Sequence, residues 1–387
     1  MKASPWLAIC PAMLLAWLMV GQSAQAAQPR VPQQDSEVVE VLRERPLSEQ
    51  ERAWRSLRAQ ARVQPGNAQL ATQVAWQAVR WARQDGDPRL LGQAQAALAH
   101  WWAQPAPPYE VRLLRATILQ STHQFDAALL DLRALVQQQP ERPQAWLTLS
   151  AVLQVTGRYD EAQQACAALQ RAGAPWHAQA CALDLSSLRG EASQAERGLD
   201  VLTARAPREL SGYLDLMRAE LAERLGQADR AVALYQGLLL RESDAYTEGA
   251  YADLLLERGR ANEVIDRLKG RERNDALLLR LAEAYAATDD QARDRTVEAL
   301  RARFAAARER GDSVHRREEA RFTLRLLKRP QQALKLAQLN WQVQKEPADA
   351  RILLEAARAA GNDAAADEVR VFVRRWGWSD KRLEGWL

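Results

Sequence analysis

The amino-acid sequence predicts an all-α fold made of stacked repeats, and two observations carry this prediction. Among its 387 residues, alanine, leucine, glutamine and arginine dominate, whereas β-branched residues are few, a composition that favours helices over strands. The segment LQVTGRYDEAQQACAALQ (residues 153–170) also lies 34 residues after a related segment, LQSTHQFDAALLDLRALV (residues 119–136). Because a period of this length is typical of a stacked array, we expect an elongated solenoid.

A small residue marks each unit of the repeat. Neighbouring copies are 33–36 residues apart, except that one interval of 69 residues holds a degenerate copy near Ala299. The series predicts about eight or nine units. The copies stand at Ala94, Ala128, Ala162, Ala195, Ala231, Val264, Ala333 and Ala366.

Each unit is predicted to be a helix, a tight turn and a second helix. Gly157 supplies the left-handed turn, because glycine has no Cβ to oppose it. Tyr159 then packs against the first helix, and Ala162 lets the two helix axes approach closely. Ahead of the turn, apolar side chains recur three and four residues apart: Trp146, Leu149 and Leu153.

This pattern resembles the tetratricopeptide repeat family over residues 67–372. Cys166 departs from the family pattern by standing where an aromatic is usual, His123 replaces the turn glycine, and residues 270–330 match poorly. The resemblance implies a right-handed superhelical solenoid whose first helices line a concave groove that binds other proteins. The residues that match the family, all assigned to packing within the repeats, are Trp146, Leu149, Gly157, Tyr159 and Ala162, with Ala128, Ala195 and Ala231 at the small position.

The two ends of the chain are predicted to lie outside the repeats. Residues 1–26 have the layout of a secretory signal peptide with cleavage near Ala26/Ala27, since an apolar run follows Lys2 and small residues follow the run. An uncleaved membrane anchor is the alternative, although the run is short for a bilayer span. Cleavage would release a soluble, exported protein, most simply into a bacterial periplasm. The remaining segments are a flexible Pro- and Gln-rich lead-in (27–46), an N-terminal capping helix (47–66) and a Trp-rich C-terminal cap (373–387).

Export would leave two cysteines, Cys166 and Cys181. An oxidising compartment favours a disulfide between them, and the alternative is two buried thiols packed as small apolar groups. Two cysteines do not form a metal site by themselves.

We find no catalytic motif and expect a protein that is not an enzyme and that needs no cofactor. No two of the four histidines have metal-binding spacing on a helix. The sequence also has no nucleophile elbow, phosphate-binding loop or dinucleotide fingerprint. The formal charge of +4, with acids and bases interspersed, argues against nucleic-acid binding by charge.

One register of the repeats carries a candidate binding surface. Rings occupy the same position of three consecutive first helices, and carboxylates follow seven residues, or two turns, later. By the family resemblance both positions face the groove, where rings would give contact area and carboxylates would select basic or hydrogen-bonding groups. Coincidence on a solvated helix face is the alternative. The rings are His177, Tyr213 and Tyr246, and the carboxylates are Asp184, Glu220 and Asp253.

Residues 301–329 form a basic segment with ten Lys or Arg and four Asp or Glu. Such a segment would contact an anionic polymer or a membrane surface, and the alternative is a solvated helix face. Its basic residues include Arg316, Arg317, Arg321, Arg325, Lys328 and Arg329.

The sequence therefore favours a non-catalytic scaffold of the cell envelope that docks a partner protein in the groove. The alternative is a polysaccharide-binding or polymer-export factor that uses the same groove. A third possibility, the helical shell of a cell-wall enzyme, requires a globular catalytic domain for which the repeats leave no room.

Overall fold

The computed structural model describes residues 34, 36–38, 46–312 and 314–387. Throughout these residues the chain forms helices joined by short turns and no β-strand. The chain divides into two units, Met1–Arg52 and Ala53–Leu387, and all the repeats belong to the second. The predicted signal peptide and most of the predicted lead-in lie outside the described residues.

The helix α1 (Glu49–Val63) precedes the repeats. In the part of the chain that the structure describes, nine helix pairs follow it, within the predicted range of eight or nine. The first helices of the pairs are α2 (Ala68–Asp85), α5 (Tyr109–Ser121), α7 (Pro143–Val155), α9 (Pro175–Ser187), α11 (Ser211–Arg224), α13 (Ala245–Glu257), α15 (Asp275–Ala287), α17 (Arg316–Arg325) and α19 (Pro347–Ala359). The second helices are α3 (Arg89–Ala97), α6 (Phe125–Gln138), α8 (Tyr159–Arg171), α10 (Ala192–Arg205), α12 (Ala228–Arg241), α14 (Ala261–Leu268), α16 (Ala292–Glu309), α18 (Pro330–Trp341) and α20 (Asp367–Trp376). A four-residue helix, α4 (Ala99–Trp102), follows α3.

The turn inside each pair depends on a left-handed residue. Gly157 has φ 75° between α7 and α8, and His123 takes φ 56° at the equivalent point of the preceding pair. A non-glycine residue is uncommon in this region. His123 nevertheless adopts the left-handed conformation, so the turn is kept although it lacks the usual glycine. The small residues of the eight aligned units, from Ala94 to Ala366, all have an exposed fraction of 0%. Their lack of bulk is what allows the paired helices to approach.

The seventh pair is the unit in which the sequence pattern is degenerate. It forms α15 and α16, and Leu300 is the fully buried residue next to Ala299. The left-handed turn residue of this unit is Asp289, with φ 52°, and the buried residue in the first turns of α16 is Thr296, so the small position of this unit lies nearer to Thr296 than to Ala299.

The ninth pair packs against the third, although the two are far apart in sequence. The amide nitrogen of Lys345 donates to the carbonyl of Val155 at 2.7 Å. A Cβ placed on Gly157 would lie 2.8 Å from the ring of Phe372 in α20. The first pair similarly meets the seventh, where Asn274 Nδ2 donates to the carbonyl of Asp85 at 3.0 Å.

The C-terminal residues, from Trp376 at the end of α20 onward, contact the middle of the array as well as its last pair. The Trp376 ring centroid lies 4.9 Å from that of Tyr159 in α8, and the amide of Lys381 donates to the carbonyl of Arg224 at 2.9 Å. Trp386 receives the guanidinium of Arg358, from α19, over its ring. The predicted cap thus also bridges to the third and fifth pairs, which the sequence pattern does not indicate.

Among the described residues, no helix has both the length and the apolar character of a membrane span.

Candidate functional site

The three rings singled out from the sequence lie in the first turns of α9, α11 and α13. The side chain of Asp244 fixes the start of α13 by accepting from the amide nitrogens of Tyr246 and Thr247, each at 2.9 Å, and so places Tyr246 in the first turn. The rings of His177 and Tyr213 have centroids 6.4 Å apart. We call His177, Tyr213, Tyr246, Asp184 and Glu220 the ring–carboxylate cluster.

The tyrosines of this cluster are not part of the hydrophobic core. Tyr213 is 41% exposed and Tyr246 is 59% exposed, whereas Tyr159, Tyr235 and Tyr251 are at most 1% exposed. Exposed tyrosine rings on consecutive inner helices offer amphipathic contact area that loses little conformational entropy on binding.

Glu220 connects the rings to the carboxylates. The hydroxyl of Tyr246 donates to Glu220 Oε1 at 2.6 Å. Burial raises the pKa of Glu220 to about 7, the hydrogen bond from Tyr246 opposes this rise, and the negative charge of Asp184 adds to it. Burial and the charges of Asp184 and Glu220 also raise the pKa of Tyr213. The two carboxylates and the two tyrosines therefore share one local electrostatic environment.

Asp184 lies one repeat before Glu220 in the same register. It accepts a hydrogen bond from Gln154 Nε2, supplied by α7. Within the described residues, neither Asp184 nor Glu220 has a lysine or arginine nitrogen within ion-pair distance.

Asp253 is in the predicted register but has a different role. It lies 2.6 Å from Arg280 and 2.7 Å from Arg321. Burial acts against ionisation of Asp253, but these two guanidinium groups outweigh it and hold the pKa of Asp253 below its usual range. The structure thus brings five of the six predicted residues together and commits the sixth to an internal ion pair.

Arg321 belongs to an ion-pair network that the sequence interpretation missed. Its other partner is Glu283, at 2.5 Å, and Arg325 continues the network to Glu283 at 3.5 Å and to Glu355 at 2.9 Å. Arg351 in turn pairs with Glu355 and with Glu257. These contacts join the first helices α13, α15, α17 and α19. The sequence contains a signal for one member of this network. Glu355 lies in the same register as Asp184, counted back from the small residue of its unit.

The network changes the interpretation of the basic segment 301–329. Arg321 and Arg325 are committed to it, and Arg317 pairs with Glu346 at 2.9 Å. The Arg321 side chain is only 14% exposed. These three charges bind the array together, so the expectation that they contact a polymer or a membrane has no structural support.

Most of the residues assigned to packing within the repeats are buried. Leu149 and Tyr159 are buried, while Trp146 is partly buried and donates from Nε1 to the carbonyl of Pro140 at 2.8 Å. A disulfide joins Cys166 to Cys181 and thereby links α8 to α9. No group of three or more potential metal ligands occurs in the described part of the chain.

Several solved structures are similar to the chain at low identity and low TM-score. A tetratricopeptide repeat protein from Parabacteroides merdae is 14% identical with a TM-score of 0.32, over 74% of this chain and 98% of that one. Naa15/Naa10 bound to HypK-THB is 12% identical with a TM-score of 0.27, over 86% of this chain and 61% of that one. The tetratricopeptide repeat domain of P58(IPK) is 16% identical with a TM-score of 0.25, over 81% and 95%. None of the curated proteins compared matches the sequence.

A family model for the tetratricopeptide repeat matches residues 119–183. These residues form α6, α7, α8 and most of α9. The same helix pairing, with the same fully buried small residue, continues on both sides of the matched segment. Residues 119–183 therefore match the tetratricopeptide repeat, and helix pairs of the same arrangement flank them on both sides.

Proposed function

We propose that this protein is a non-catalytic scaffold that binds a segment of a partner protein on the inner helices of its fourth to sixth repeats. The observation that carries the proposal is the exposure of Tyr213 and Tyr246 on neighbouring first helices, next to Asp184 and Glu220. Aromatic residues are enriched in protein interfaces because they bury a large area with few rotatable bonds.

We further propose that the protein works in the cell envelope after export. Two features support this location: the signal-peptide layout of residues 1–26 and the disulfide between Cys166 and Cys181. Disulfides persist in oxidising compartments and are rare in the cytosol.

Site-directed photo-crosslinking in the native cell tests the proposal. A photoreactive residue replaces Tyr213 or Tyr246, and the control replaces Leu240, which is 88% exposed on the second helix α12. We expect one discrete protein adduct from each tyrosine position and none from Leu240. Equal adducts from all three positions, or no adduct from any of them, would contradict binding at the inner helices.

A polysaccharide is the second candidate ligand, because exposed tyrosine rings next to carboxylates also suit stacking and hydrogen bonding with sugars. Affinity gels that contain polysaccharide separate the two candidates. Retardation of the wild-type protein but not of the double variant Y213A/Y246A, with no protein adduct, would favour the polysaccharide.

A further inference from the structure

We propose that Asp184 and Glu220 receive an arginine or lysine side chain from the bound partner segment. This inference rests on the proposed function and specifies the chemistry of the partner. It predicts that the recognised segment is basic, with the cationic head group between the two carboxylates and its aliphatic stem against the tyrosine rings.

Other carboxylates on the first helices of this chain pair with arginines. Asp253 is paired by Arg321 from the eighth repeat, and Glu257 by Arg351 from the ninth. Glu355, in the same register as Asp184 and Glu220, is paired by both Arg325 and Arg351. Within this chain, an arginine from another repeat satisfies each of these acids.

An arginine of the C-terminal tail pairs with a carboxylate one helical turn from the proposed site. Glu223 follows Glu220 by three residues on α11 and pairs with Arg382 of the C-terminal tail. Arg382 also forms an ion pair with Asp380 at 2.7 Å. The inner surface of α11 therefore already accepts an arginine from a non-helical segment.

Asp184 and Glu220 have no such arginine partner among the described residues. The charge of Arg224 lowers the pKa of Glu220. Arg224 directs its Nη2 to Ser187 Oγ at 2.7 Å and is buried. It is therefore held away from the exposed side of the cluster, where neither Asp184 nor Glu220 has an ion-pair partner among the described residues.

The rings favour a cation for an independent reason. A guanidinium or ammonium group over the face of an aromatic ring is attracted by the ring quadrupole, and the chain uses this contact where Arg142 lies 3.7 Å from the ring centroid of Tyr109. Tyr213 and Tyr246 present exposed rings beside the two carboxylates. An acidic segment would meet like charges here, and an uncharged one would leave them unpaired.

Panning of a random dodecapeptide phage library on the full-length protein tests this inference. The wild-type protein is compared with D184N/E220Q, whose amide oxygens still accept from Gln154 and Tyr246. The control, E141Q/D266N, makes the same change of charge at two exposed carboxylates. We expect peptides rich in arginine or lysine to be enriched on the wild type and on the control, and not on D184N/E220Q.

An affinity measurement then tests individual peptides. D184N/E220Q should weaken the binding of a selected peptide at least about ten-fold, because hydrogen bonds to charged groups contribute more than neutral ones. Enrichment of acidic or uncharged peptides, no enrichment at all, or equal affinities for all three proteins would overturn the inference. The photo-crosslinking result separates the two proposals: an adduct that persists in D184N/E220Q refutes the basic partner alone, and the absence of any adduct refutes the partner site itself.

Discussion

Arg321 Nη1 lies 2.7 Å from Asp253 Oδ1 and so joins the first helices of the sixth and eighth repeats. The same guanidinium contacts Glu283 on α15, the first helix of the repeat between them. Stacking of adjacent units is the general source of stability in repeat proteins. In this protein an ion-pair network adds a second connection, which skips one unit and lies on the inner surface.

Replacement of Arg321 by methionine should destabilise the array. The substitution leaves Glu283 and Asp253 with fewer partners in a site that is 14% exposed at Arg321, and removal of one partner from a buried pair costs about 3 kcal/mol. We expect a clear fall in the midpoint of urea unfolding. R301M is the control, because the Arg301–Glu298 pair is 45% and 71% exposed and such pairs contribute less than about 1 kcal/mol. Equal midpoints for the two variants would show that the network does not stabilise the fold.

Alanine at Gly157 should cost more than alanine at Gly259. Both glycines have positive φ, 75° and 70°, so both substitutions incur a backbone strain of about 1 kcal/mol. Only at Gly157 would the new Cβ meet Phe372, at 2.8 Å, and Lys345, at 2.9 Å, while nothing lies within 4 Å of a Cβ at Gly259. We expect G157A to unfold at a lower urea concentration than G259A. If the two variants unfold alike, the ninth pair is not packed on the third as described.

Reduction of the disulfide should weaken the third and fourth repeats. Cys166 and Cys181 close a loop with a sequence separation of 15, for which the chain-entropy model gives about 3 kcal/mol. The double variant C166A/C181A should unfold at a lower urea concentration than the wild type and should not respond to a reductant. The wild type should fall to about the same midpoint when it is reduced. A wild type that does not respond to reductant would argue against the disulfide.

The repeat was predictable because its requirements are local. The turn at Gly157 and the close helix contact at Ala162 depend on residues of one unit, and they recur at one period. The contacts between distant units have no such signature. Glu223 and Arg382, for example, are 159 positions apart, and the sequence pattern gave no reason to pair them.

In the candidate site, too, the features set within one repeat were predictable and the contacts between distant repeats were not. The shared register of His177, Tyr213 and Tyr246 follows from helix phase, which the small residue of each unit sets. The commitment of Asp253 to an ion pair depends on Arg321, which arrives from two repeats away. The basic segment was misleading for that reason, because its charges are visible in the sequence and their partners are not.

The stability contributed by Glu220 should depend on pH in a definite direction. Its pKa in the folded state is raised to about 7, above the value of about 4.3 for an unperturbed glutamate. Between these values the folded state holds the extra proton, so the free energy of unfolding falls as pH rises and then levels off. Glutamine cannot ionise, so the free energy of unfolding of E220Q should rise relative to that of the wild type by about 2.5 kcal/mol between about pH 5 and about pH 8. If the free energies of unfolding of the two proteins change with pH in parallel, the pKa of this carboxyl is not raised.

Removal of both exposed rings should abolish partner binding without unfolding the protein. Tyr213 and Tyr246 contribute contact area at the inner surface but little to the core, since they are 41% and 59% exposed. A photoreactive residue at Gln144, in the first helix of the repeat that precedes the ring–carboxylate cluster, reports partner binding. Y213A/Y246A should lose the crosslink formed there. Its free energy of unfolding, measured with urea, should change by less than about 1 kcal/mol. The conservative variant Y213F/Y246F keeps both rings and removes the hydroxyl that donates to Glu220. If ring area drives binding, the phenylalanine variant retains most of the adduct; if the hydrogen bond to Glu220 sets the geometry, it loses the adduct as the alanine variant does. An undiminished adduct in the alanine variant would place the partner on another surface.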